Sequence, residues 1–172
     1  DGAGVLGDGE DGVSNGAIKG GTMSNYRIPL HTISLVRERT INSEDKTITQ
    51  SDRAAKVFRA IIGATDREQF VLLCLDAKNR IIGANVVSVG SLALSIVHPR
   101  EAFKAAILQN AAAVIFGHNH PSGDPDPSPE DKTLTRRLVQ AGEILGIRVL
   151  DHVVIGDGTN LYYSFMDEGQ LN

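Results

Sequence analysis

Apolar positions along the chain change period several times, and each change predicts an element. Residues 27–37 (RIPLHTISLVR) alternate and predict an extended arm, of a kind that can add a strand to a neighbouring copy and so support a homo-oligomer. Ser51 reads as the N-cap of a helix that carries Ala54, Val57, Phe58 and Ile61 on one side. Glu68 to Asp76 and Arg80 to Gly90 are β-branched or leucine-rich runs joined at Lys78-Asn79, the pattern of a hairpin. Pro99 at a first helical position opens a helix through Asn110, with Phe103, Ala106 and Ile107 inward. A buried strand follows at Ala113 to Phe116, then a proline-rich loop and a helix from about Pro129 to Leu145 stopped at Gly146. Two more strands are expected near Arg148 to Ile155 and Leu161 to Ser164. Helices alternating with strands predict an α/β fold, a mixed sheet covered by helices.

Residues 1–22 break this pattern. They hold eight of the eighteen glycines and few large apolar groups, so they bury too little surface to offset the entropy of ordering. They read as a flexible leader, or as sequence added ahead of a start at Met23, with residues 23–172 forming a single domain. Gly2, Gly4 and Gly7 match G-x-G-x-x-G, but no strand can precede them, and the dinucleotide fingerprint requires one.

Composition narrows the function. With 41% hydrophobic and 22% charged residues the chain has a globular profile, with no spanning segment and no basic-then-apolar signal, which predicts a cytoplasmic protein without membrane contact. The leader carries Asp1, Asp8, Glu10 and Asp11 against Lys19, leaving about -1 of the net -4 on the body. A nearly neutral body with 5% aromatic residues and no tryptophan argues against strong direct nucleic-acid binding. The single cysteine, Cys74, allows neither an internal disulfide nor a cysteine-rich zinc site, so any metal is held by nitrogen and oxygen.

The chemistry concentrates in FGHNHPSGDPDPSPEDKTLTRRL, residues 116–138, between an apolar strand and an amphipathic helix. In extended backbone, residues two apart project to one side, so His118 and His120 present two imidazoles to one point, and Pro121 keeps His120 extended. Ser128 is the expected N-cap, Pro129 the first helical residue and Asp131 the third, facing back toward the loop. Ser-x-x-Asp on its own is a plain capping pattern. Its coincidence with two convergent imidazoles makes a nitrogen and oxygen set of three, the composition of a zinc site that leaves a position open to water.

On these residues the chain resembles the RadC family, a branch of the JAMM (JAB/MPN) metallopeptidase superfamily. The superfamily pattern of His-x-His, seven residues, Ser, two residues and Asp falls on His118, His120, Ser128 and Asp131. The RadC character is carried by HNHPSGDPDPSPED at 118–131, VGSLALSIVHPREAF at 89–103 and LGIRVLDHVVIGDG at 145–158. The resemblance spans about residues 50–165. It implies a JAB/MPN, cytidine-deaminase-like architecture and a zinc-dependent hydrolase of peptide or isopeptide bonds, with Zn2+ held by His118, His120 and Asp131 and a peptide or protein as substrate. It nominates Glu68, in REQFVLLCLD, as the general base, and Ser128 as a donor to the oxyanion through a hydroxyl hydrogen that capping leaves free. Composition alone leaves Glu101, Glu130 and Glu143 as rivals to Glu68, with Glu101 and Glu143 inside helices.

A second reading is a non-catalytic module of DNA repair or of a mobile element, whose zinc loop is structural or binds a partner. Residues 23–60 are too short for the paired helix-hairpin-helix unit that many RadC proteins carry. Of the remaining polar groups, His98 reads as a residue at a helix start, and Asp151 and His152 as strand positions that support the loop, with contact to a ligand open to them. Cys74 reads as core and Ser122 as a turn residue. Arg53, Lys56 and Arg59, and the pair Arg136-Arg137, read as solvated faces.

Overall fold

The computed structural model describes residues 27–44, 46–90 and 97–171. The leader expected at residues 1–22 lies outside them. The chain divides into two units, Asp1–Ile33 and Ser34–Asn172. Of the first, residues 27–33 are described: they form neither helix nor strand, and their side chains are exposed.

The second unit carries every described element. In chain order these are α1 (Ser51–Ile62), β1 (Glu68–Leu75), β2 (Ile81–Gly90), α2 (Pro99–Ala102), α3 (Lys104–Leu108), β3 (Ala113–His120), α4 (Pro129–Leu145), β4 (Arg148–Gly156) and β5 (Tyr162–Ser164). The five strands form one sheet in the order β2-β1-β3-β4-β5. All neighbours are antiparallel except β3 and β4, which run parallel because α4 crosses over between them.

Period-two alternation in the central strands supplies two apolar faces. Val71, Leu73 and Ile115 pack with Phe58 and Ile61 of α1 on one face. Phe70, Leu72, Val114 and Phe116 pack with Phe103 and with Leu134 and Leu138 of α4 on the other. α4 is bounded as its sequence requires. Ser128 and Asp131 form a capping box, Pro129 takes the first helical position, and Gly146 closes the helix at φ 69° with the Ile147 amide donating to the Gly142 carbonyl.

Some expectations are corrected. Gln50, not Ser51, holds the extended N-cap backbone of α1. Ser51 is already helical, and its hydroxyl donates to Asp167 Oδ2. The single helix expected from Pro99 to Asn110 is two short helices interrupted at Phe103. Phe103 and Ala106 are buried as expected, but the interruption turns Ile107 outward, where it is 51% exposed. β3 runs four residues past the predicted Phe116, so both histidines stand on the strand rather than in a loop.

Between Val114 and Ile115 the β3–β4 register slips by one residue, so that Ile115 is paired with Asp151 and Phe116 with His152. This bulge at Leu150 reverses the facing of the residues that follow it. His152 turns toward α4, and Asp151 toward α1.

Candidate metal centre

Alternation along β3 carries Val114, Phe116, His118 and His120 on the α4 face. The strand ends at His120, whose carbonyl accepts the Gly123 and Asp157 amides, pinning the turn that follows. α4 begins nine residues later and returns its first turn over the same face. The site thus lies at the carboxyl end of a parallel strand and the amino end of the following helix.

The geometry is tight. His118 Nε2 and His120 Nε2 lie 3.1 Å apart. Asp131 Oδ1 is 3.4 Å from His118 Nε2, and Oδ2 is 3.5 Å from His120 Nε2. One ligand atom from each residue falls within 4.8 Å of the others. His118 and Asp131 are fully buried. The structure therefore brings together the three residues the sequence singled out for a metal.

The donor set fits a metal on chemical grounds. His120 Nδ1 is 2.8 Å from the Asp124 carbonyl, which only accepts, so Nδ1 carries the proton and the neutral ring turns a lone pair inward at Nε2. Asp131 Oδ1 is buried without a hydrogen-bond partner among the described residues. Acceptors packed at such distances repel unless a cation sits among them. Burial and then the charge of neighbouring His152 hold His118 well below the ordinary histidine range, so its ring stays neutral. His120 is raised, chiefly by the Asp131 carboxylate at long hydrogen-bonding distance, against the pull of burial. A proton on His120 or a metal thus serves as the cation.

Asp131 also belongs to the capping box. Its Oδ2 accepts from the Ser128 amide at 2.8 Å and from the Ser128 hydroxyl at 2.7 Å, while its own amide donates to Ser128 Oγ. The Ser128 hydrogen expected to stay free is thus directed at Asp131. Burial alone would raise the Asp131 carboxyl, but bonds from His120 and Ser128 and the nearby His118 outweigh it and hold the group well below the usual range.

Glu68 stands at the start of β1. Phe70 is paired to His118 in an antiparallel ladder, and alternation along β1 puts Glu68, two residues before Phe70, on the face that carries His118 and His120. It is half-buried; desolvation raises its carboxyl, with the charge of His120 opposing and that of Asp131 adding. None of Glu68, Glu101, Glu130 and Glu143 is a member of the three-residue cluster itself, but the Glu68 carboxyl feels the charges of both His120 and Asp131.

Sequence reasoning missed Asn119 and Thr135. Asn119 lies between the two histidines with its side chain on the opposite face of β3, fully buried. Its Oδ1 accepts the Gln69 amide at 2.7 Å, and its Nδ2 donates to the Arg67 carbonyl and to Asp157 Oδ2. Both residues flanking Glu68 are therefore fixed by one amide. Thr135 sits one turn after Asp131 and meets His152, whose Nε2 is 2.9 Å from His118 Nδ1. The only signals for them were a polar residue inside a buried strand and a threonine at i+4 from the carboxylate.

The other groups fall outside the cluster. His98 starts α2 and is exposed. Ser122 accepts the Asp124 amide in a turn, as expected. Cys74 is buried, which pushes its thiol up to about 12 and removes it as a nucleophile. Arg59 donates to the Leu161 carbonyl, and Arg136 and Arg137 are exposed.

A family profile described as the RadC-like JAB domain matches residues 48–170. The chain belongs to the RadC-like JAB domain family. Its mixed five-stranded sheet with helices on both faces is the α/β JAB/MPN architecture. Similar curated proteins include a UPF0758 protein of Trichlorobacter lovleyi, 62% identical over 105 residues, covering 61% of this chain and 45% of the relative. Another, from Methanosarcina barkeri, is 56% identical over 103 residues, or 60% of this chain and 44% of that protein. A third, from Caldanaerobacter subterraneus, is 48% identical over 128 residues, covering 71% and 55%. The chain spans about half the length of the curated relatives it matches. Among the described residues no helix is long and apolar enough to cross a membrane.

Proposed function

We propose that this domain is a zinc-dependent hydrolase of amide bonds, acting on a peptide or isopeptide of a protein substrate. One observation carries this reading: the buried, unpartnered Asp131 Oδ1 converges with two imidazole nitrogens, 3.1 Å apart. Such a set satisfies itself by taking a divalent cation, and two nitrogens with one carboxylate suit zinc with a position left for solvent.

His118, His120 and Asp131 would hold the metal. When bound, it supplies a Lewis acid that acidifies water and polarises the scissile carbonyl. Glu68 takes a proton from the attacking water and returns it to the leaving amine. Its upward shift by burial moves it toward the pH at which it must do both. Ser128 holds Asp131 in register, and turning its hydroxyl hydrogen away from Oδ2 would let it donate to the developing oxyanion.

Elemental analysis of the purified chain tests the metal, and hydrolysis of a fluorogenic isopeptide tests the reaction. The expected result is one zinc per chain, lost in His118→Ala, and turnover abolished in Glu68→Gln with the zinc retained. A chain that never binds zinc overturns the metal. Wild-type turnover by Glu68→Gln removes Glu68 from the mechanism. Zinc binding with salt-sensitive duplex DNA binding and no hydrolysis would favour the non-catalytic module instead.

A further inference from the structure

Four groups on three elements close a circuit beneath the site. Thr135 Oγ1 lies 2.7 Å from the Asp131 carbonyl and 2.6 Å from His152 Nδ1, and His152 Nε2 lies 2.9 Å from His118 Nδ1. Asp131, Thr135, His118 and His152 are all at most 1% exposed, so these contacts are shielded from solvent. Phe165 stacks on the His152 ring at 5.1 Å and fixes its plane.

With both rings neutral, as their burial requires, only one proton assignment puts a hydrogen into each short contact. A carbonyl only accepts, so the one hydroxyl hydrogen of Thr135 points to Asp131, and Thr135 Oγ1 must accept from His152 Nδ1–H. The neutral His152 ring then offers a lone pair at Nε2, and His118 must donate to it through Nδ1–H. His118 Nε2 is left bare, facing His120 and Asp131. In the reverse setting Thr135 Oγ1 and the Asp131 oxygen would meet at 2.7 Å without a hydrogen between them, and a hydrogen on His118 Nε2 would occupy the cluster.

From this circuit we infer that Thr135 and His152 are positioning residues that lock His118 in the Nδ1–H tautomer and so hold its Nε2 ready for a metal. The circuit starts and ends on metal-binding residues, because the Thr135 hydroxyl answers to the backbone of Asp131 itself. A β4 bulge and a threonine one helical turn along α4 thus set the ligand state of a β3 histidine.

This role presupposes the metal-binding reading, but its first test needs no metal. Long-range 1H–15N spectra of the metal-free chain distinguish Nδ1–H from Nε2–H rings, and both His118 and His152 are expected as Nδ1–H. In Thr135→Val, zinc affinity measured by competition with a chromophoric chelator is expected to fall about ten- to a hundred-fold, with His152 losing its tautomer; Thr135→Ser is expected to restore both. An Nε2–H tautomer for His118 in the metal-free wild type, or a folded Thr135→Val that binds zinc as tightly as wild type, overturns the inference. If the wild-type chain takes up no zinc, the proposed function fails, and the tautomers still decide the circuit.

Discussion

Asp131 gives one carboxylate oxygen to Ser128 and turns the other to the histidines. Oδ2 accepts from both the amide and the hydroxyl of Ser128, and Oδ1, 3.4 Å from His118 Nε2, has no hydrogen-bond partner among the described residues. The helix cap is therefore also the device that aims a ligand, and the two roles share one rotamer. Ser128→Ala should cost about 1 kcal/mol of stability through the lost cap. It should also weaken zinc binding about ten-fold, because Asp131 loses its hydroxyl partner. Urea denaturation and a zinc competition titration read the two effects separately. Unchanged zinc affinity in a destabilised Ser128→Ala would reduce Ser128 to a cap.

Asn119 couples the strand that carries His118 and His120 to the candidate base. It binds the Arg67 carbonyl and the Gln69 amide, on either side of Glu68, from the face of β3 opposite His118 and His120. Asn119→Ala leaves those groups unsatisfied near the sheet, at a cost of about 1–3 kcal/mol. The expected signature is turnover reduced on the order of ten-fold or more at an unchanged zinc content, since misplacing a proton acceptor slows chemistry without touching the candidate metal ligands. Turnover equal to wild type would show that β1 positions Glu68 without this clamp.

Much of the site was legible because its geometry is local. Period-two alternation sets His118 beside His120, and a capping box sets Ser128 against Asp131; both need only neighbours in sequence. Glu68 was different. Its place near the histidines depends on the pairing of Phe70 with His118 across 48 residues of chain, which no local pattern encodes, and only the family resemblance named it. The β4 bulge was equally hidden. Continued alternation from Val149 would turn Asp151 toward α4, and the extra residue at Leu150 delivers His152 instead. The break at Phe103 that exposes Ile107 carries no glycine or proline to announce it.

Gly117 makes a prediction about packing beneath the histidines. A Cβ there would lie 2.5 Å from the ring of Phe58, a fully buried residue of α1 that covers the β3 backbone. Gly117→Ala should destabilise the domain by about 1–3 kcal/mol as ring or strand gives way. Strand movement would carry His118 with it, so zinc affinity should fall too. Adding Phe58→Leu should recover part of the loss. In urea denaturation, a double variant whose loss equals the sum of the single losses would contradict the clash.

Asp151 predicts a pH dependence on the other face of the sheet. Burial pushes its carboxyl up to about 6, although Ser164 Oγ, the Met166 amide and the His152 amide all donate to it. The unfolded chain releases this proton near pH 4, whereas the folded chain keeps it to about 6. Between those values the folded state binds more protons, so this group's contribution to stability falls as pH rises and is level above the window. Asp151→Asn preserves the shape and the two amide contacts and removes the titration. The stability of the variant relative to wild type should therefore climb from pH 4 to 6, by up to about 3 kcal/mol, and then level off. Paired urea denaturations across that range measure the difference directly. A difference that stays flat would mean that the three donors cancel the cost of burial, leaving the carboxylate with its ordinary affinity for a proton.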